Sequence, residues 1–303
     1  MTPSVIGEGA PSRGRTFSPF TSNLNFRKYL PALPLLLIVG YFFLYPITKL
    51  VYVAFLSNEN TLTLSNFTTA FKDPYKTGFI NSIKIGITSA VIAAIPGAIA
   101  AYFIESKGPS KLRRTVAVMS GVLANTGGVP LAFMFMAAIG IQGQLTKILK
   151  AAGWDIYSGQ FSLGTFTGLL IVYLYFQLPL MVIIFSPAIV ALRREWVEAA
   201  YNLGADKVEY WRRIGFPLLF PSFIGSLLLL FASGFSAYAT ANALTVGNLP
   251  LTPLQIGGLL DGNVSATQLN LGKALSSLMI LISAFAVVPY LVIQRRTARW
   301  QKR

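Results

Sequence analysis

The chain has 303 residues, of which 54% are hydrophobic and only 12% are charged, whereas soluble domains average about 25% charged residues. It contains no cysteine and no histidine, which excludes thiol redox chemistry, disulfides, histidine metal sites and histidine-dependent catalysis. The composition predicts an integral membrane protein. The net charge of +15 would favour nucleic-acid binding in a soluble protein, so the placement of the basic residues must decide between the two interpretations.

Six apolar stretches are each near the roughly 20 residues that cross a bilayer as a helix, and they predict an all-α protein with six transmembrane helices. Residues 1–29, which precede them, are polar and rich in Pro, Ser and Gly, and they predict a disordered tail. The first stretch is too long for a signal-peptide core, so we expect it to be retained as a helix. The six stretches are Leu30–Leu56, Phe79–Ile104, Thr115–Ile141, Gly164–Val190, Leu218–Val246 and Leu271–Ile293.

The basic residues are distributed unevenly around these helices. Eighteen of the 25 Lys and Arg residues fall on one side of the six-helix arrangement, and lysine and arginine near helix ends stay cytoplasmic. The pattern predicts a multi-pass membrane protein with both termini in the cytoplasm, and it argues against nucleic acid as a partner. The basic segments are 13–28, 107–114, 193–213 and 295–303.

A short amphipathic insert lies between the fourth and fifth apolar stretches. Its first part places Trp196, Ala199, Ala200 and Leu203 at the spacing of one helix face. Gly204 follows at once, where a helix ends most easily because glycine accepts a left-handed backbone. The insert is therefore predicted to begin with a short helix that ends in a bend.

The second part of the insert predicts another short helix. Asp206 is a candidate N-cap, with Glu209 three residues later as in a capping box. Pro217 is expected to end this helix where the fifth membrane helix begins. The residues expected to share its apolar face are Val208, Trp211 and Ile214. Two bent helices on the cytoplasmic side could dock a partner protein or lie on the lipid headgroups, and the residues alone leave both interpretations open.

The insert also resembles a known family motif. Glu198-Ala199-Ala200, Gly204, Ile214 and Phe216-Pro217 match the E-A-A-x3-G-x9-I-x-L-P loop of permease subunits of binding-protein-dependent ABC importers, except that Phe216 stands where the family usually has leucine. The resemblance implies the type I ABC importer permease fold in a bacterial-type plasma (inner) membrane, with a transmembrane core over 79–293 and a cytoplasmic coupling helix within 195–217. Residues 30–78 would then form the first transmembrane helix and an external loop, and 294–303 a basic cytoplasmic tail.

The resemblance also implies partners. Two copies of an ATP-binding subunit, a second permease that is identical or homologous, an extracytoplasmic solute-binding protein and membrane lipid are expected. No G-x4-G-K-[ST] phosphate loop occurs in the sequence, so ATP and magnesium are expected in the partner subunit. We expect no cofactor or metal on this chain and no enzymatic activity of its own. By position, the residues that couple to the ATP-binding subunit would be Glu198, Ala199, Ala200, Gly204, Ile214 and Pro217.

Polar side chains inside two spans are candidates for the translocation path. Such residues also serve as hydrogen-bonding and small-residue contacts between membrane helices, and this second interpretation stays open for all of them. The candidates are Asn125, Thr126, Ser233, Ser236, Tyr238, Thr240, Asn242 and Thr245.

The solute is less clearly indicated. The stretch LTPLQIGGLLDGNV, residues 251–264, is similar to permeases of the spermidine/putrescine type and their relatives for iron(III), phosphonates and opines. A sugar-type ABC permease is the alternative. An ion-driven secondary transporter normally needs ionisable groups deep in the membrane, whereas carboxylates such as Glu59, Asp155 and Asp261 lie in loops or at helix ends, which disfavours that mechanism.

Overall fold

The computed structural model describes residues 33–57, 59–106, 111–159, 161–245, 247–261 and 265–300. Within these residues the regular structure is helical, apart from one isolated antiparallel bridge between Leu56 and Leu62. Contacts divide the chain into two units, with the boundary between Thr48 and Lys49. The predicted tail, residues 1–29, lies outside the described residues.

Twelve helices are numbered here within the described residues. Six stretches among them are long and apolar enough to cross a bilayer, which confirms the predicted all-α, six-span class: Leu33–Ala54, Tyr75–Ser106, Val129–Ala151, Phe166–Val190, Lys207–Ser236 and Thr267–Val292. The helices are α1 Leu33–Ala54, α2 Ser65–Ala70, α3 Tyr75–Ser106, α4 Lys111–Asn125, α5 Val129–Ile139, α6 Gln144–Ala151, α7 Phe166–Val190, α8 Arg194–Asn202, α9 Lys207–Ser236, α10 Ala239–Thr245, α11 Thr252–Leu260 and α12 Ala266–Trp300.

Helices α3, α7 and α9 pack against one another at the centre of the second unit, with α4 on α7 and α12 on α9. Small residues on α3 allow this close approach. Close approach stabilises the bundle because transmembrane helices associate mainly by van der Waals packing. A Cβ atom at Gly97 would lie only 2.7 Å from Cβ of Met181 and 3.1 Å from the carbonyl oxygen of Leu178. Glycine at this position therefore sets the distance between α3 and α7.

A polar side chain is enclosed where these three helices meet. Gln177 of α7 is 0% exposed, and its Nε2 donates to Ser89 Oγ of α3 at 3.0 Å. Gly234 of α9 leaves room for this pair, because a Cβ there would lie 2.5 Å from Gln177 Nε2. Within the described residues, Gln177 Oε1 has no hydrogen-bond partner. The junction is thus polar, tightly packed and only partly satisfied.

Four of the six predicted spans agree with the structure within a few residues. The second is the single helix α3, which continues through Pro96, and the fourth is α7. The sixth, α12, continues to Trp300 and so includes most of the predicted tail at 294–303. The first span is α1, and its predicted start at Leu30 lies outside the described residues.

The prediction of one continuous third span over Thr115–Ile141 is wrong. The stretch is divided into α4 and α5, with a break at residues 126–128. Gly128 has a φ of +77°, a backbone conformation that favours glycine and that a helix cannot contain. Hydropathy does not detect the break because the residues on both sides of it are apolar.

The prediction of a fifth span over Leu218–Val246 is wrong at both ends. Helix α9 begins at Lys207 and ends at Ser236. Ala237 is extended, with a ψ of 109°, and the short helix α10 follows. The hydroxyl group of Tyr173 donates to the Ala237 carbonyl oxygen at 3.1 Å, so a side chain of α7 satisfies a backbone group that the break exposes, as the bilayer requires.

Candidate functional site

The bend in the amphipathic insert is fixed by its own backbone. Helix α8 ends at Asn202, and Gly204 has a φ of +83°. The Gly204 N–H donates to the Tyr201 carbonyl oxygen at 3.0 Å, and the Ala205 N–H donates to the Ala200 carbonyl oxygen at 3.0 Å. These two bonds form a Schellman motif, which satisfies the last carbonyl groups of α8. The predicted bend at Gly204 is confirmed.

The start of the next helix is capped as predicted. Asp206 has extended backbone angles, and its Oδ1 accepts a hydrogen bond from the Glu209 N–H at 2.6 Å. A side-chain oxygen at this position satisfies one of the free N–H groups of the first turn. Gly204 and Asp206 therefore hold α8 and the start of α9 in a defined angle.

The predicted apolar face of α8 is divided between the protein and the exterior. Ala200 is buried at 6% exposure, whereas Leu203 is 88% exposed. On the other side of the bend Val208 is 72% exposed. Glu198 and Ala199 are also exposed. The insert thus presents two large aliphatic side chains at its bend, and we call residues 195–217 the coupling segment from here on.

Pro217 does not end the second helix of the coupling segment, and that prediction is wrong. A π-turn covers Trp211–Gly215, and the Phe216 N–H donates to the Trp211 carbonyl oxygen, five residues earlier. Pro217 then occupies the first turn of the regular α-helix that follows, where its missing N–H is tolerated. The wider π-turn accommodates the proline, so the part of the coupling segment after the bend, from Lys207 onward, and the fifth span form one helix, α9. Ile214 lies half-buried within the π-turn.

The two breaks in the membrane helices lie beside each other. Thr240 Oγ1 accepts a hydrogen bond from the Gly128 N–H at 2.9 Å and donates to the Gly128 carbonyl oxygen at 3.1 Å. Thr240 is buried, so its role here is to connect the two breaks. Thr245 is also buried and donates to the Ala241 carbonyl oxygen, a contact within α10.

Asn125 and Thr126 close the end of α4 at the first break. Asn125 Nδ2 donates to the Gly121 carbonyl oxygen at 2.8 Å, and Thr126 Oγ1 donates to the Val122 carbonyl oxygen at 2.7 Å. Both side chains thus replace backbone donors that the break removes. Asn125 is exposed and Thr126 is half-buried.

A groove of about 800 Å³ opens beside the second break. Ser236 and Tyr238, from the junction between α9 and α10, form one end of it. The Tyr238 ring lies against Gly257 of α11, where a Cβ would be 2.9 Å from its Cε2 atom. Ser233 and Asn242 do not line this groove, although Asn242 is exposed. The structure therefore brings together two of the predicted path residues and separates them from the others.

The groove contains polar residues that the sequence prediction missed. Asp261 ends α11 at the rim of the groove, and Ser276 and Ser283 of α12 line its wall. The two serines are seven residues apart, the spacing of one helix face, and this was the signal available in the sequence. Asp261 is the one groove-lining side chain among the described residues that is charged at neutral pH.

Known proteins resemble this chain in sequence and in structure. A probable sulfate transport system permease protein cysT from Helicosporidium sp. subsp. Simulium jonesii is 25% identical over 67% of this chain and 72% of its own length. A spermidine/putrescine transport system permease protein PotC homolog from Mycoplasma pneumoniae is 25% identical over 65% of this chain and 62% of its own length. The crystal structure of a bacterial ABC transporter involved in import of the acidic polysaccharide alginate matches 91% of this chain and 96% of its own, with a TM-score of 0.64 and 16% identity.

The interrupted membrane helices and the bent segment between the fourth and fifth spans define a type I ABC importer permease fold. The family model for "Binding-protein-dependent transport system inner membrane component" matches residues 97–303. The chain belongs to this family and is a multi-pass inner membrane protein.

Proposed function

We propose that this chain forms part of the translocation pathway for a small solute that a separate solute-binding protein delivers, and that a partner subunit supplies the energy of ATP hydrolysis. A related importer structure contains a periplasmic protein bound to an alginate pentasaccharide, which supports a binding-protein partner here. A second permease, identical or homologous, would complete the pathway.

The exposed apolar bend carries the proposal. Leu203 and Val208 project from a segment whose angle is fixed by the Schellman motif and the Asp206 cap. Exposed apolar side chains that lie close together mark contacts with a partner protein or a membrane, and we propose that these two side chains form such a contact. We assign the coupling segment, with Glu198, Ala199 and Gly204 at its exposed surface, as the contact with the ATP-binding subunit.

The test of this assignment is recovery of the partner. Chain purified through an affinity tag is expected to bring two copies of an ATP-binding subunit with it and to show ATP hydrolysis only in that complex. Leu203→Asp should abolish this recovery, whereas Leu64→Asp, at an exposed leucine outside the coupling segment, should not. Hydrolysis of ATP by the chain alone, or equal recovery with both variants, would contradict the proposal.

The membrane orientation is a second part of the proposal. The one-sided basic residues support an orientation with both termini and the coupling segment in the cytoplasm. The chain has no cysteine, so single cysteines report orientation without background. A cysteine replacing Ser65 or Ser158 should react with an impermeant maleimide in intact cells, and one replacing Ser110 should react only after lysis. Reaction at position 110 in intact cells would reject this orientation.

We further propose that the groove beside the second break belongs to the solute path. Its hydroxyl groups and the Tyr238 ring suit a weakly polar solute, and the Asp261 carboxylate favours a cation over an anion. This chemistry favours the polyamine candidates and, among neutral solutes, the sugar alternative. Reconstituted complex with its binding protein should accumulate spermidine or a sugar in an ATP-dependent manner and should exclude sulfate. ATP-driven uptake of sulfate would overturn the assignment of solute class while leaving the permease function intact.

A further inference from the structure

A pair of aromatic rings connects the coupling segment to the membrane core. Trp211 of α9 and Tyr102 of α3 meet edge to face, with ring centroids 5.0 Å apart and an interplanar angle of 81°. Both side chains are half-buried and belong to the apolar cluster that α3, α7 and α9 share. The contact joins the first turns of α9, which continue directly from the Asp206 cap, to the end of α3.

The Trp211 ring is fixed from its own helix as well. A Cβ atom at Gly215 would lie 2.7 Å from Cε3 of Trp211, so the ring rests against the backbone of the following turn. Real side chains do not approach this closely, and only glycine leaves the ring in place. Trp211 therefore contacts both Gly215 of its own helix and Tyr102 of α3.

The backbone at this position is unusual. Trp211–Gly215 is the π-turn that precedes Pro217, and single π-turns within α-helices occur frequently at functional sites. The π-turn begins at Trp211 itself, so the residue that contacts α3 is also the residue at which the helix geometry changes. A displacement of the coupling segment would reach the membrane core through this point.

Helix α3 connects the contact at Tyr102 to the start of α11. From Tyr102 it continues without interruption for 20 residues to Ser82, about 30 Å of helix. There Ser82 Oγ accepts from the Thr252 N–H at 2.9 Å, and Asn81 Nδ2 donates to the Pro250 carbonyl oxygen at 3.1 Å. These bonds fix the start of α11, which forms one wall of the groove.

We infer that Trp211 and Tyr102 are positioning residues that transmit movement of the coupling segment, through α3, to the α11 wall of the groove. The inference rests on the proposed function, because it needs a partner that moves the coupling segment. Neither ring is proposed to touch the solute. Their role is to make α3 follow α9 when ATP closes the partner subunits.

The experiment measures a conformational response rather than solute uptake. Ser236→Cys, in the groove, is introduced into the cysteine-free chain, and the chain is purified with its ATP-binding subunit. The rate of labelling by an impermeant maleimide is then compared between nucleotide-free complex and complex trapped with Mg-ATP and vanadate. Tyr102→Leu should reduce the ratio of the two labelling rates by about fivefold or more, which is in the range of allosteric couplings. Partner recovery and ATP hydrolysis should stay unchanged in this variant. Trp211→Leu should give the same loss of response.

Two control variants separate transmission from packing. Tyr102→Phe keeps the ring and should keep the response, and Phe103→Leu changes the next residue of α3, whose side chain is largely exposed, and should also keep it. A wild-type labelling response to nucleotide in Tyr102→Leu would overturn the inference. Failure of Tyr102→Leu to assemble with its partner would also overturn it, because the contact would then be structural. If the unmodified complex shows no nucleotide response or no partner, the proposed function fails instead.

Discussion

Glycine serves opposite purposes in the membrane core and in the coupling segment. In the core, Gly97 and Gly234 lie where neighbouring side chains and backbone leave no room for a Cβ atom. In the coupling segment, no atom of the described residues lies within 4 Å of a Cβ at Gly204, but its φ of +83° is unfavourable for other residues. Core glycines thus set distances between helices, whereas Gly204 sets an angle within the chain.

This difference predicts two kinds of defect in variants of the two regions. A larger residue in the core should disturb the assembly of the whole chain, because α3, α7 and α9 share one packed centre. A larger residue at the bend should change only the exposed surface that we propose as the partner contact. Substitutions in the core should therefore lower the amount of protein in the membrane. Substitutions at the bend should leave that amount unchanged and affect only function.

The largest effect is expected for Gly97→Val. Its side chain would overlap Met181 and the Leu178 carbonyl oxygen, and overpacking of this kind costs about 1–3 kcal/mol. We expect a several-fold loss of monodisperse protein in fluorescence-detected size-exclusion chromatography. Gly121→Val is the matched control, since no atom in the part of the chain that the structure describes lies within 4 Å of a Cβ at Gly121. Equal yields for the two variants would show that close approach does not limit this core.

Gly204→Val should have the next largest effect, and it should leave abundance normal. Valine at a left-handed position strains the backbone by about 1–3 kcal/mol and would open the Schellman motif. We expect loss of the copurifying ATP-binding subunit and of transport, measured on equal amounts of chain. Gly204→Asn, which tolerates this conformation, should retain most of both. Normal partner recovery in Gly204→Val would remove support for a bent coupling element.

Local signals in the sequence predicted the coupling segment well. The bend at Gly204 and the cap at Asp206 depend on residues within a few positions of each other, and both are confirmed. Pro217 misled the prediction because its effect depends on the preceding π-turn, which has no clear sequence signal. The coupling roles of Glu198, Ala199 and Ala200 remain predictions.

Long-range contacts explain what the sequence could not predict in the membrane. The breaks after α4 and α9 are stabilised by Thr240 and Tyr173, which lie 112 and 64 residues from the backbone groups that they bind. Hydropathy averages over such breaks, so it located α3, α7 and α12 and misplaced the third and fifth spans. Thr240 was a candidate both for the path and for a contact between helices, and the structure shows it hydrogen-bonded to Gly128.

Glu198→Lys should resemble Gly204→Val with a smaller effect. The substitution reverses a charge on the exposed side of α8, and charges at the rim of an interface mainly alter the association rate. We expect reduced partner recovery that worsens at low ionic strength, with unchanged abundance. Glu195→Lys, at another exposed glutamate in the first turn of α8, is the control for net charge. Identical behaviour of the two variants would show that position 198 has no special role in coupling.

The smallest effect is expected for Gln177→Met, although the side chain is completely buried. The substitution removes the hydrogen bond to Ser89, which is worth about 0.5–1.5 kcal/mol. It also removes Oε1, which is buried without a hydrogen-bond partner among the described residues, and such an atom costs about 1–3 kcal/mol. The two changes nearly offset each other. Ser89→Ala changes the side-chain volume only slightly, yet it leaves the Gln177 amide with only a 3.5 Å contact to the Leu230 carbonyl oxygen. We therefore expect Ser89→Ala to lower the melting temperature in detergent more than Gln177→Met does. The opposite order would mean that the Gln177 amide is fully satisfied in the membrane, and that this junction is held by polar contacts rather than by the close approach that Gly234 permits.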